Sequence, residues 1–416
     1  MQRPNHTERT VCRICEGEWG QDNPILHPFA NLGDHPLADR FPRSVNEQEP
    51  TYPLRVKVCD RCRLVQHTDI VDDAILFGND YAFFTGASPS SIAYFKQYAQ
   101  DVMSRYPDKL AFVVEIAGND GTLLKHFQKK AARVLNIEPA TPPAEVAKAQ
   151  GIPTLVKPFS LDTGRVLSQE QEATLVIANN VVAHTDKLLD FLAGINALLS
   201  EDGVCIAEVQ YLPHLLFNTA FDHLYHEHRS FFSLHALQKA CWRVNLVIVD
   251  VEEADTQGGS IRVHVKKASS YPKPRPAVEA MLARERSLGL LDGRTYQGFQ
   301  ARVNYTCQKL VQQLQWLKME GFTIQGFGAS AKGNTLLNTA GIGPDLLDCI
   351  VDLTPYKIGT YAPGSKIPIK HPDEVEKPDY YLLLVWNYLE GVLERESAFR
   401  EAGGRFIVPI PTPKII

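Results

Sequence analysis

The chain has 416 residues, enough for two or three domains, and its 44% apolar and 22% charged content sets it apart from disordered and fibrous chains. A net charge of −5 leaves no overall basic character, which argues against nucleic acid as the main partner. No run is long and apolar enough to span a membrane, and the opening MQRPNHTERTVC lacks the apolar core of a signal peptide, so a cytoplasmic location with reduced cysteines is expected.

In chain order, Cys12-Arg-Ile-Cys15 and Cys59-Asp-Arg-Cys62 come first. Each knuckle offers two thiolates from one tight turn, and together they make a four-sulfur tetrahedral zinc site. All four places are then filled by sulfur, so the expected metal is structural, stapling a small module that has little core of its own. The stretch YAFFTGASPSS (81–91) is aromatic, then small and polar. Ser90 is placed to cap a helix over Ile92–Arg105 whose apolar stripe includes Phe95, Tyr98 and Val102.

The centre of the chain is FVVEIAGNDGTLL (112–124): a short buried strand, a glycine turn, then a helix. Gly118 and Gly121 are expected to let the backbone approach a ligand. A second apolar run, Arg133–Ile137, ends in Glu138, where an acidic residue accepts from ribose hydroxyls. There is no G-x-G-x-x-G. The turn instead presents Asn119 and Asp120, with Glu115 near the end of the strand, which suits an adenosine with a cationic tail. S-adenosylmethionine fits that description. ATLVIAN (173–179) reads as another buried strand leading to Asn180 and His184, and VCIAEVQY as the next.

Tyr225-His-Glu-His228 is a polar cluster that is costly to bury without partners and is suited to acid–base work. Residues 246–265 alternate around Gly258-Gly259 as a hairpin completing the sheet. Residues 266–295 read as a linker and an exposed helix, followed by a long helix at about 296–320. GFGASAKGNT (326–335) is a second glycine turn into a helix, where backbone donors and Lys332 suit a phosphate. Strands near 349–353, 380–385 and 405–409 make the last third a second parallel α/β unit.

The ordered set of paired knuckles, VEIAGNDGTLL, NNVVAH, YHEH, GGSIRV, GFGASAKGNT, VWNY and GGRFIVPIP resembles the sugar C-methyltransferases acting on nucleotide-linked 4-keto deoxysugars, along nearly the whole chain. One departure is Ala117, where relatives carry glycine or a small polar residue; its small size makes it look harmless. The resemblance implies an α/β protein of three parts: a zinc-binding module (1–75), a Rossmann-like S-adenosylmethionine domain with a parallel sheet and an antiparallel hairpin (76–268), and a Rossmann-like C-terminal domain (269–416). It implies a donor site of Glu115, Gly118, Asn119, Asp120, Leu123, Glu138, Pro139 and Asn180. Ser330, Lys332, Asn334, Asp352, Trp386, Asn387 and Tyr388 would meet a sugar nucleotide, expected to be dTDP-linked. His228 is the expected base at C3 with Glu227 orienting it, and Tyr225, Tyr81 and His184 would line the sugar or steady an enolate. A methyltransferase for another small acceptor, or a zinc-containing RNA methyltransferase, is the alternative.

Overall fold

The structure, a computed structural model, describes residues 5–18, 22–78 and 83–416. In the N-terminal module, Tyr52–Cys59 alternates buried Tyr52, Leu54, Val56 and Val58 with half-buried Pro53, Arg55 and Lys57, as a strand with one covered face must. It pairs antiparallel with Leu26–His35 on one side and Val65–His67 on the other. The fourth strand of this sheet, Ser230–Phe231, comes from the Tyr225–His228 region, pairing Ser230 with Gln66 and Phe231 with Val65.

The central sheet has seven strands, in spatial order Leu246–Ala254, Ser260–Lys267, Leu199–Gln210, Ala173–Asn179, Phe112–Ile116, Arg133–Ile137 and Thr154–Leu155. The last five are parallel, and the first two form the expected antiparallel hairpin. Every residue of Phe112–Ile116 is buried, as a strand covered on both faces requires. One face packs on the helix Pro89–Arg105, through Tyr98, Ala99 and Val102, and on Leu124 and Phe127. The other face packs on the helices Leu188–Leu198, Leu234–Arg243 and Pro276–Ser287. This last helix is not an exposed one: Val278, Met281 and Leu282 join the core, and Glu285 accepts from the backbone of Leu234 and His235. Nor is Ser90 the cap of the earlier helix. The helix starts at Pro89, whose fixed φ and missing N–H suit the first helical position, and Ser88 stands at the N-cap.

The C-terminal domain is a second parallel sheet, in the order Ile369–Lys370, Ile350–Val351, Ile324–Phe327, Tyr380–Leu383 and Arg405–Val408, with Lys414–Ile415 antiparallel at the edge. Its long helix, Phe299–Met319, shares one core with the zinc-module sheet, where Phe29 stacks on Phe299 at 4.3 Å. The small module is thus wedged against both larger domains. Among the described residues, no helix is long and apolar enough to cross a membrane.

Candidate active site

The four cysteines of the knuckles are buried, and their sulfurs all lie within 4.8 Å of one another. Cys12 and Cys62 Sγ are 3.4 Å apart and Cys15 and Cys59 Sγ 4.0 Å; four thiolates about 2.3 Å from one tetrahedral ion sit about 3.8 Å apart. Ile14 and Arg61 N–H point at Cys12 and Cys59 Sγ, each at 3.4 Å. The donor set fits a structural zinc and leaves no place for a substrate.

A cavity of about 400 Å³ opens between the three parts. Its floor is the turn after Phe112–Ile116. Ala117 and Asn119 adopt left-handed φ of 54° and 52°. Ala117 is therefore not neutral on account of its size, because its backbone stands where glycine is favoured. The glycines serve packing as well as ligand approach: a Cβ on Gly118 would lie 2.5 Å from Asn136 Oδ1, and one on Gly121 2.2 Å from Ile152 Cδ1. Glu115 is buried beneath the turn with Oε2 unpartnered; burial, then Asp120 and Glu138, hold its carboxyl well above the usual range. Such a group is suited to a cationic ligand. Glu138 accepts from Asn119 N at 2.9 Å and Ala140 N at 2.8 Å, yet burial still pushes it up to about 7. Leu123, Pro139 and Asn180 also line the cavity.

Asp120 does not reach the cavity wall. It accepts from Gly86 N at 2.7 Å and Thr122 N at 3.1 Å, while the Asn119 side chain holds Thr85 N and the Phe83 carbonyl. The two polar residues thereby fix the 83–87 loop; Asp120 is turned to that loop, whereas Asn119 also lines the cavity. Tyr81 lies outside the described residues.

The opposite wall carries the histidines. His228 Nδ1 donates to the His223 carbonyl at 2.9 Å, which leaves Nε2 as the acceptor of the Tyr225 hydroxyl at 2.8 Å. The orienter of His228 is thus that carbonyl, not Glu227. Burial, then His184 and His223, hold His228 well below the usual histidine range. His184, pushed down to about 4 by burial, stacks between Phe77 at 5.8 Å and His228 at 5.1 Å. Glu227 lines the cavity with Oε2 unpartnered; burial and Asp39 raise it to about 8.

Ser330, Lys332 and Tyr388 close the cavity from the C-terminal domain. Four other residues expected there do not line it. Asn334 Nδ2 donates to the Ala38 carbonyl at 2.7 Å, tying its helix to the zinc module. Asp352 accepts from Ala329 and Thr354 N–H, each at 2.7 Å. Trp386 Nε1 donates to Asp222 at 2.6 Å, and the amide of Asn387 is buried without a partner. Sequence reading missed Asp39, Asn179, Gln210 and Lys357, all on the wall. A charge inside the turn-rich LADRFP was the one signal for Asp39.

A strand order with a terminal hairpin, an acidic turn under a cavity and a closed four-thiolate centre define a Rossmann-like methyltransferase carrying a structural zinc module. Family models match in the same order: a zinc binding domain at 12–77, a methyltransferase domain at 93–251 and a C-methyltransferase C-terminal domain at 255–411. The C-methyltransferase NovU of Streptomyces niveus is 36% identical over 411 residues, covering 97% of this chain and 96% of its own. The chain therefore belongs to the C-methyltransferases built from these three parts. Among solved structures, an S-adenosylmethionine-dependent methyltransferase of Clostridium acetobutylicum aligns with TM-score 0.35 and 13% identity over 42% of this chain and 92% of its own. The magnesium protoporphyrin IX methyltransferase of Synechocystis, with S-adenosylmethionine bound, aligns with TM-score 0.33 and 11% identity over 47% and 89%.

Proposed function

We propose that the protein methylates C3 of a nucleotide-linked 4-keto deoxysugar, expected to be dTDP-linked, through an enolate. The observation that carries this is the Tyr225–His228 pair, a neutral base holding a hydroxyl, facing the acidic donor turn across one cavity. When bound, S-adenosylmethionine supplies an electrophilic methyl and departs as the neutral thioether. Glu138 would hold its ribose hydroxyls, and Glu115 would face its positive tail. A carbon nucleophile needs its proton removed first, and a ketone at C4 acidifies C3–H. The C3–H electron pair moves into the C3–C4 bond, and the carbonyl pair moves onto the C4 oxygen. The proton ends on His228 Nε2, with the Tyr225 hydroxyl carrying it across and regaining its own proton. Methyl transfer to an amine or hydroxyl would need no site that stabilises an enolate. His228→Asn tests the step. With S-adenosylhomocysteine in place of the donor, the wild type should wash solvent deuterium into C3, and the variant should do so about 10²–10⁴ more slowly while binding substrate normally. Equal exchange would place the base elsewhere.

A further inference from the structure

The cavity holds two lysines of the C-terminal domain, and they differ in depth. Lys332 is 7% exposed. Its Nζ donates to Gln257 Oε1 at 3.2 Å, on the turn of the central hairpin, and lies 5.9 Å from the centre of the Tyr388 ring. The counter-charge acting on it, Asp222, already accepts from Trp386. Burial lowers its ammonium to about 8, and its field reaches both His223 and His228. Lys357 is half-buried; its Nζ donates to the Ala329 carbonyl at 2.7 Å, next to Ser330, the N-cap of the ten-residue helix Ala331–Ala340.

We propose that the two lysines divide the anionic parts of the substrate: Lys332 faces the C4 oxygen and stabilises the enolate, while Lys357 and the helix N-terminus take the pyrophosphate. The inference rests on the ketosugar reading above and reassigns Lys332 within it. The reacting end of the sugar must lie against Tyr225 and His228, and Lys332 is the cation buried on that side of the cavity. A base held far below its usual range is weak, so the enolate has to be stabilised from the other end. A fixed ammonium in a water-poor pocket does this at the moment charge reaches the oxygen. A pyrophosphate is charged and hydrated before it binds, and the partly exposed Lys357 beside first-turn N–H groups meets it with less desolvation. Seating it on Lys332 would push the sugar away from His228.

The test compares Lys332→Met and Lys357→Met. Deuterium exchange at C3 of a dTDP-linked 4-keto-6-deoxyhexose is followed with S-adenosylhomocysteine bound, and calorimetry gives the affinities for dTDP and for S-adenosylhomocysteine. The S-adenosylhomocysteine affinity shows that each variant keeps its donor pocket, and Lys332→Arg, which keeps the charge, guards against loss of fold. Lys332→Met should lower exchange at saturating sugar about 10²–10³-fold with dTDP affinity nearly unchanged. Lys332→Arg should recover part of that loss, and Lys357→Met should weaken dTDP about tenfold. Undiminished exchange in Lys332→Met, or the loss of dTDP affinity in that variant in place of Lys357→Met, overturns the assignment alone. A wild type that binds S-adenosylhomocysteine but exchanges no C3 deuterium overturns the ketosugar reading and the assignment with it.

Discussion

At the scale of single residues, environment matters more than residue type. The YHEH cluster was visible in the sequence, and so was its i, i+3 tyrosine–histidine pair. Its orienter was not, because a backbone carbonyl at His223 leaves no mark in a sequence, and the more obvious carboxylate of Glu227 lines the cavity with Oε2 unpartnered. Glu138 shows how environment sets behaviour. Its carboxyl is raised to about 7 in the folded chain, so it holds a proton there that the unfolded chain has lost above about 4.5. Its contribution to stability is therefore present at low pH and is lost as pH rises through 7. If Glu138 holds the ribose as proposed, its hydroxyls would donate to the ionised form, and ligand binding would expel that proton. The affinity for S-adenosylhomocysteine should rise as pH is raised from 5.5 to 8 and then level off. Glu138→Gln should bind weakly, with a flatter profile. Calorimetry across that range checks both, and a pH-independent wild type would remove Glu138 from the ribose site.

At the scale of elements, the short zinc module behaves as a clamp. Ser230–Phe231 adds to its sheet two residues after His228. Buried Arg13 reaches Asp186, two residues beyond His184, and also the His67 carbonyl. Arg229 donates to the Val71 carbonyl. Both cavity histidines thus hang from segments that the module holds. A chelator that strips the metal, or Cys62→Ser, should lower thermal stability and also methyl transfer measured well below the new midpoint. Zinc readdition should restore both in the chelated protein. Full turnover in a metal-free, folded sample would reduce the module to an independent appendage. The strands and helices around it were legible because apolar period and glycine turns act locally. The packing of Pro276–Ser287 was not, since three apolar residues among charges read as an exposed helix until the hairpin face they cover is known.

At the scale of the whole molecule, the cavity is assembled from residues hundreds of positions apart: Asp39 from the module, His228 from the central domain, Lys332 and Lys357 from the last. Two of these four were legible, because each sits in a local motif. Asp39 and Lys357 come from ordinary loops and acquire meaning only through juxtaposition. Asn334 and Asp352 share a motif or strand end with ligand-facing residues, yet they serve the fold, one tying the helix to Ala38 and the other holding the glycine turn. The central claim is that this assembled space makes a carbon–carbon bond at C3. Incubation with S-adenosylmethionine carrying a ¹³C methyl and a dTDP-linked 4-keto deoxysugar tests it most directly, with the product read by NMR. The expected product carries the labelled methyl on C3, its protons correlating with that carbon, and transfer is slowed about 10²–10⁴-fold in His228→Asn. A labelled methyl on oxygen or nitrogen, or transfer undiminished by the loss of His228, would contradict it.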